Sequence, residues 1–184
     1  MSISIVIPCL NEAKGIRFFL SRLQTLRSQC ELVLVDGGSD DDTVAIAGPY
    51  VDRLIASESG RALQMNAGAD VAQSDVLLFL HADTFLPDDA LTQVHLAIES
   101  GYQWGRFDVR LVGNHCLLPL IAGLMNCRSS LTHIVTGDQA LFVNKSLFVE
   151  LGQYPNIALM EDIALSKTLK EITPPYRIRS QVET

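Results

Sequence analysis

The chain has 184 residues, the length of one ordinary domain, and its composition of 48% hydrophobic and 19% charged residues is typical of a globular protein rather than a disordered one. Its net charge of -7 argues against nucleic acid as a partner, because phosphate binding needs a basic surface. An acidic pocket that binds an anion would instead need a cation.

No apolar stretch reaches the roughly 18 residues of a membrane span, and the chain opens without the pattern of a secretory leader. We therefore expect a cytoplasmic protein. The four cysteines have neither disulfide nor metal spacing, and each lies in or beside an apolar stretch, so we expect buried free thiols. They are Cys9, Cys30, Cys116 and Cys127.

The first hundred residues alternate between short apolar runs and segments with apolar residues at helical spacing. Strands are predicted at 3–7, 31–35, 53–56 and 77–80. Helices are predicted at 16–26, with Asn11 as its cap, in a segment ending at Ala47, at 62–72, and at 87–101. This order predicts a parallel sheet covered by helices on both faces.

The pattern changes after residue 101. Residues 114–128 are mostly apolar but are interrupted by Pro119 and Gly123, which predicts a broken helix. We expect its apolar segment 117–125 to belong to the core, although a face toward a lipid-linked acceptor stays open. The other predicted elements are an exposed or edge strand at 106–111, a short strand at 140–143 and a last helix from residue 161. We interpret this half as an extension of the sheet rather than a second domain.

Acidic residues follow the ends of three predicted strands: Glu12, Asp36 and Asp83. In a parallel sheet these ends lie at one edge, where ligands bind, and His81 and Asp83 would point to the same side. Carboxylates held close together favour either a shared cation or a raised pKa. Mg²⁺ or Mn²⁺ suits oxygen ligands, His81 tilts the choice toward Mn²⁺, and such ions usually share their coordination with phosphates. A nucleotide is therefore the expected ligand. The alternative that Asp36 and Asp83 are simple turn or cap residues stays open.

Several motifs occur in order along the chain. They are Ile5-Val6-Ile7-Pro8 with Asn11-Glu12, Val35-Asp36-Gly37-Gly38-Ser39 with Asp42-Thr43, His81-Ala82-Asp83, and Glu161-Asp162. Together they resemble the inverting glycosyltransferases of family 2, in which the third motif corresponds to the Asp-X-Asp metal motif and the fourth to an acceptor-side acidic pair. Gly60-Arg61-Ala62 with Gln64-Met65-Asn66, and Gly137-Asp138-Gln139, resemble the small subgroup associated with arsenosugar biosynthesis clusters.

The resemblance implies the GT-A fold, an α/β architecture with a mostly parallel central sheet and helices on both faces. It implies a single domain in which residues 1–100 bind the nucleotide sugar and residues 101–184 form the acceptor-side half. The implied reaction is metal-assisted transfer of a sugar from a nucleoside diphosphate sugar to an acceptor hydroxyl, with inversion. A UDP-sugar is the expected donor, the acceptor is unidentified, and contact with a membrane surface stays open.

The resemblance also implies roles for individual residues. Asp162 is the expected general base, and Asp83 with His81 is expected to hold Mn²⁺ or Mg²⁺. The expected substrate-binding residues are Pro8, Asn11, Glu12, Asp36, Gly38, Arg61, Asn66, Ala82, Gly137, Asp138 and Glu161.

The sequence departs from the family pattern at Gly37, where a second Asp is common, and at His81, where the metal motif usually begins with Asp. An Arg- and Trp-bearing segment common in the family would follow Thr184, so truncation of the acceptor-side half stays open. Two other functions also stay open. One is a non-catalytic nucleotide-binding regulatory protein, favoured by Gly37; the other is a sugar nucleotidyltransferase, although residues 8–12 lack the Gly-rich phosphate loop it normally needs.

Overall fold

The computed structural model describes all 184 residues and contains one seven-stranded sheet with seven α-helices. The strands are β1 (Ile3–Cys9), β2 (Glu31–Asp36), β3 (Arg53–Ala56), β4 (Val76–Phe79), β5 (Trp104–Arg110), β6 (Phe142–Asn144) and β7 (Tyr176–Glu183). The helices are α1 (Ile16–Leu23), α2 (Thr43–Ala47), α3 (Arg61–Val71), α4 (Ala90–Glu99), α5 (Leu118–Thr132), α6 (Lys145–Glu150) and α7 (Glu161–Ile172).

The strand order in the sheet is β3-β2-β1-β4-β6-β5-β7. Strands β1 to β4 pair in parallel, β6 is antiparallel to both of its neighbours, and β5 pairs in parallel with β7. The predicted mostly parallel α/β sheet is therefore confirmed. The first four strands are joined by helices, as parallel strands require.

The core consists of two layers, one on each face of the sheet. Alternate residues of β1 belong to different layers, since successive side chains of a strand point to opposite faces of the sheet. Ile5 belongs to the layer that contains buried residues of α1 and α4, whereas Val6 belongs to the layer that contains buried residues of α3, α6 and α7. This explains why β1 has no polar alternation: both of its faces are covered by helices.

Strand β5 is not the exposed or edge strand predicted for residues 106–111. It lies between β6 and β7 and is buried except at Arg110. The alternating polar residues are paired with one another: the Arg106 guanidinium, 1% exposed, donates to Asp108 at 2.6 Å, and Asp108 also binds Arg177 of β7 at 2.8 Å. Charged residues tolerate burial when they are paired and hydrogen-bonded. Strand β7 itself was not predicted.

Helix α5 corrects two expectations. It is continuous rather than broken, because Pro119 is its second residue, where a missing N–H costs nothing. Most of its large apolar side chains are also outside the core: Leu120 and Leu124 are 60% and 61% exposed, while small and polar residues such as Ala122 and Asn126 are buried on the β5 side. None of the helices combines the length and hydropathy needed to cross a bilayer.

All four cysteines are free thiols, as predicted, but only part of the burial prediction holds. Cys9 is buried and Cys30 is half-buried, whereas Cys116 and Cys127 are exposed. The error has the same cause as that for α5, because both exposed thiols belong to the apolar segment that lies at the surface.

Candidate active site

A cavity of about 230 Å³ opens where the carboxyl ends of β1 and β4 meet the start of α3. Its lining consists of Pro8, Cys9, Leu10, Glu12, Arg61, Gln64, His81, Ala82 and Asp83. Six of these were predicted site residues: Pro8, Glu12, Arg61, His81, Ala82 and Asp83. Residues distant in sequence are thus brought together by parallel strand pairing.

The loops after β1 and β2 are joined beside this cavity. Asn11 has a positive φ of 56°; its Oδ1 accepts from the Asp40 N–H at 2.9 Å, and its own N–H donates to the Ser39 hydroxyl at 2.9 Å. The Asp36 carboxylate accepts from the N–H groups of Gly38 and Ser39, each at 3.0 Å. Asn11 is therefore not the cap of α1, which begins only at Ile16. Asn11 and Asp36 shape the loops, and Gly38 is exposed at a φ of 91°.

Gln64 forms part of the cavity wall and joins the ends of β1 and β2. Its buried amide donates to the carbonyl oxygens of Cys9 at 2.7 Å and Val35 at 2.9 Å. A Cβ atom on Gly37 would lie 3.0 Å from this amide. The side chain of Gln64 therefore occupies the space in which a second acidic residue at position 37 would begin.

His81 lies against the 3-10 turn Gly137–Gln139. A Cβ atom on Gly137 would lie 2.6 Å from the His81 Nε2 atom and 2.9 Å from the Asp162 Oδ2 atom, so a larger residue would force these side chains to move. Burial lowers the pKa of His81, and the Arg61 guanidinium lowers it further, against the opposing effect of nearby acids including Asp138. The lowered pKa favours the neutral imidazole, which is the form that can donate a lone pair to a metal.

Asp162 and Glu161 are buried in the first turn of α7, 7% and 2% exposed. Burial raises the pKa of Asp162 to about 7, and the adjacent Glu161 carboxylate raises it as well, while Arg61 acts in the opposite direction. The Tyr154 hydroxyl lies near this carboxylate but outside hydrogen-bond geometry. A carboxyl group with a pKa near neutrality can act as a proton acceptor at physiological pH.

Asn66 does not line the cavity. Its side-chain amide donates to the Tyr154 carbonyl oxygen at 2.9 Å and accepts from the Tyr154 N–H at 3.0 Å. It holds the segment before α7 and acts on the cavity only at a distance. Tyr154 was missed by sequence reasoning, because a single tyrosine among apolar residues is typical of core. Gln64 was noted only as part of a motif.

Glu12, Asp36 and Asp83 do not surround one ion as expected. No group of three or more acidic, histidine or cysteine side chains is placed to hold a metal. Strands β2 and β4 are separated by β1, so the two strand ends that lead to Asp36 and Asp83 are two strand spacings apart, about 10 Å. The carboxylates lie at one edge of the sheet, but they do not converge on one ion.

The sequence profile of glycosyl transferase family 2 matches residues 4–115, which include both joined loops and the His81-Ala82-Asp83 motif. The chain belongs to glycosyl transferase family 2. A PGL/p-HBAD biosynthesis glycosyltransferase of Mycobacterium bovis is 41% identical over 177 aligned residues, covering 82% of this chain and 62% of that protein. An uncharacterized glycosyltransferase of Mycobacterium tuberculosis is 30% identical, covering 97% and 72% of the two chains.

Solved structures of other glycosyltransferases have the same GT-A fold. S. aureus TarS 1-349 in complex with UDP-GlcNAc superposes with a TM-score of 0.81 at 16% identity, covering 100% of this family 2 chain and 58% of TarS. Glucosyl-3-phosphoglycerate synthase from M. tuberculosis, with Mn²⁺, UDP and glucosyl-3-phosphoglycerate, superposes with a TM-score of 0.72 at 19% identity, covering 98% and 70%. The chain spans 62% of the length of the M. bovis relative and 58% of the TarS chain.

Proposed function

We propose that this family 2 chain transfers a hexose from a UDP-sugar to an acceptor hydroxyl, with inversion at the anomeric carbon. The observation that carries the proposal is the position of Asp162, a buried carboxyl group with a pKa of about 7 that lies beside His81, which lines the cavity. Support for the donor comes from the TarS complex with UDP-GlcNAc. The arsenosugar-type subgroup remains our proposal from the motifs around Arg61 and Asp138.

In this proposal the cavity holds the diphosphate of the donor. Arg61, the first residue of α3, supplies a cation at a helix N-terminus, where backbone N–H groups also favour anions. Pro8, Glu12 and Ala82 form the walls, and the loop shaped by Asn11, Asp36 and Gly38 receives the nucleoside. Asn66 supports the site indirectly through Tyr154.

A divalent cation, Mn²⁺ or Mg²⁺, fits the donor set as a shared rather than a fully protein-bound ion. No three side-chain ligands are clustered, so the protein does not by itself complete the coordination of a metal ion. One carboxylate and one neutral imidazole suit an ion that takes its other ligands from phosphates and water. Asp83 and His81 would hold it. When bound, the ion neutralises charge that develops on the leaving diphosphate.

Asp162 accepts the proton of the acceptor hydroxyl as the hydroxyl oxygen attacks the anomeric carbon. The bond to the diphosphate oxygen breaks in the same displacement, and the electron pair leaves with UDP, where Arg61 stabilises the added negative charge. Glu161 and Asp138 form the boundary of the site on the acceptor side. One displacement reverses the anomeric configuration, and no sugar is attached to the enzyme at any stage.

Thermal-shift titration with UDP, GDP and dTDP, each with and without Mn²⁺, tests the donor assignment. We expect UDP with Mn²⁺ to stabilise the protein most and to lose this effect in Asp83→Ala. Hydrolysis of UDP-sugars in the presence of Mn²⁺ tests catalysis, and Asp83→Ala should abolish it. Stabilisation by none of the nucleotides contradicts the proposal, and binding without turnover would indicate a non-catalytic nucleotide-binding protein.

A further inference from the structure

Arg61 and Glu161 form a loose ion pair across the candidate site. The Arg61 Nη1 atom lies 3.5 Å from the Glu161 Oε1 atom, whereas charge-assisted N–H···O bonds are commonly about 2.7–2.9 Å. The Oε1 atom has no hydrogen-bond partner, although the side chain of Glu161 is only 2% exposed. A buried carboxylate is normally fully paired, so this one is poorly satisfied.

The two partners differ in their freedom to move. The Arg61 side chain is 52% exposed and lines the cavity, so its guanidinium can rotate without disturbing the core. Glu161 is fixed by burial in the first turn of α7. Any change of partner must therefore be made by Arg61.

A diphosphate in the cavity would be a better partner for Arg61 than Glu161 is. It can offer two oxygens to the planar guanidinium, which matches phosphate geometry bidentately. Arg61 also begins α3 directly after Gly60, whose φ of 144° and missing side chain leave the helix N-terminus without a side-chain cap. The positive end of the helix adds to the attraction for an anion.

We propose that Glu161 is the resting partner of Arg61 and competes with the donor diphosphate for its guanidinium, so that donor binding transfers Arg61 from Glu161 to the phosphates. This inference rests on the proposed function, since it takes the ligand to be a nucleoside diphosphate. The gain from the Arg61–phosphate contact is offset in part by leaving Glu161 without a cation. Removing the Glu161 charge should therefore tighten donor binding, but only while Arg61 is present.

The experiment is a double-mutant cycle on UDP binding, measured by calorimetry with Mn²⁺ present. The four proteins are the wild type, Arg61→Met, Glu161→Gln and the double variant. We expect Arg61→Met to weaken UDP binding about 10-fold or more, the loss of one hydrogen-bonded charge pair. Glu161→Gln should tighten it about 3- to 10-fold in the wild type and less than about 2-fold in the Arg61→Met background, because the competition requires both groups.

Uridine, which lacks phosphates, serves as the matched ligand control and should bind all four proteins equally. Equal tightening by Glu161→Gln in both backgrounds would indicate a general charge effect and would overturn the inference. Weaker UDP binding in Glu161→Gln would also overturn it, because Glu161 would then be positioning Arg61 for the phosphates. If Glu161→Gln does not fold, Glu161→Asp, which draws the carboxylate away from Arg61, should still tighten UDP binding; unchanged affinity then overturns the inference. Failure of the wild type to bind UDP at all overturns the proposed function as well.

Discussion

The imidazole of His81 and the carboxylate of Asp162 lie on the same side of Gly137, 2.6 Å (Nε2) and 2.9 Å (Oδ2) from the position that a Cβ atom of residue 137 would take. The space in which a side chain of residue 137 would begin is already occupied by both groups. Gly137 therefore lets a residue after β4 and a residue of α7 meet, although they are far apart in sequence. Because Gly137 has no side chain, the proposed metal ligand His81 and the proposed base Asp162 can lie close together.

Gly137→Ala should disturb this meeting point. The added methyl must displace His81 or Asp162, and overpacking of this kind costs about 1–3 kcal/mol. We expect lower stability in urea denaturation and weaker Mn²⁺-dependent UDP binding in calorimetry. Gly123→Ala is the matched control: it lies in α5 with open space around it, so it should keep UDP affinity and raise stability by about 0.5–1 kcal/mol through helix propensity. Unchanged UDP binding in Gly137→Ala contradicts the role given to this contact.

Asp162→Asn should remove catalysis while keeping the donor site. An amide of the same shape cannot accept the proton, and loss of a general base lowers turnover by about 10²–10⁴-fold. UDP affinity should change little, since Asp162 does not line the cavity. Glu171→Gln, an exposed change on the same helix, is the control and should leave both quantities unchanged. A turnover number within threefold of wild type, measured with a UDP-sugar, would remove Asp162 from the role of base.

The rate of transfer should rise with pH and level off above about 7, because the general base must be ionised and burial raises the pKa of Asp162 to about 7. Glu161→Gln should move the midpoint to lower pH, since the Glu161 carboxylate contributes to the raised pKa. The measurement is kcat as a function of pH for both proteins. A profile that is flat across neutrality, or a midpoint that stays in place in Glu161→Gln, disagrees with this assignment.

The same group should make stability depend on pH with a definite sign. The pKa of Asp162 is higher in the folded protein than the ordinary value of 3.8, so the folded state binds more protons between these two pH values. Its contribution to stability is complete below about pH 4 and is lost as the pH rises through about 7, by up to about 4 kcal/mol. The difference in unfolding free energy between wild type and Asp162→Asn should follow this course in urea titrations. If the wild type gained stability relative to Asp162→Asn as the pH rises, the prediction would be wrong.

Gly37→Asp, which introduces the acid common in the family, should be poorly tolerated. Its Cβ atom would lie 3.0 Å from the Gln64 amide, which joins Cys9 and Val35, and we expect a loss of about 1–3 kcal/mol in urea denaturation. The double change Gly37→Asp with Gln64→Ala should recover part of this loss by freeing the space. Gly48→Asp, in open surroundings, is the control and should have a small effect. No rescue by Gln64→Ala would mean that these positions are not coupled.

The first hundred residues could be predicted well because their signals are local. Uninterrupted apolar runs such as that of β4 specify strands covered on both faces, and helical spacing between them specifies parallel crossovers. The order of the motifs around Asp36 and Asp83 then placed their strand ends at one edge, as found. Here the pattern of side chains and the topology constrain one another.

The second half could not be predicted in the same way, because its signals depend on partners that are distant in sequence. The alternation in β5 is typical of an exposed strand, yet Arg106 and Asp108 are buried through contacts with each other and with Arg177. The apolar residues of α5 are typical of core, yet the helix uses Asn126 and small residues to pack on β5 and leaves its leucines outside. Burial follows from which surfaces meet, and local hydrophobicity does not specify that.

The amino-acid sequence alone determined the family's fold and the edge of the sheet at which the chemistry-bearing residues gather, because strand pairing in a parallel sheet fixes where the strand ends lie. Only the tertiary structure decided which of those residues touch. Asp36 and Asn11 bind loop backbone, Asn66 holds Tyr154, and Arg61 pairs with Glu161. These contacts are set at distances of about 3 Å by side-chain packing, and no pattern of residue spacing contains that information.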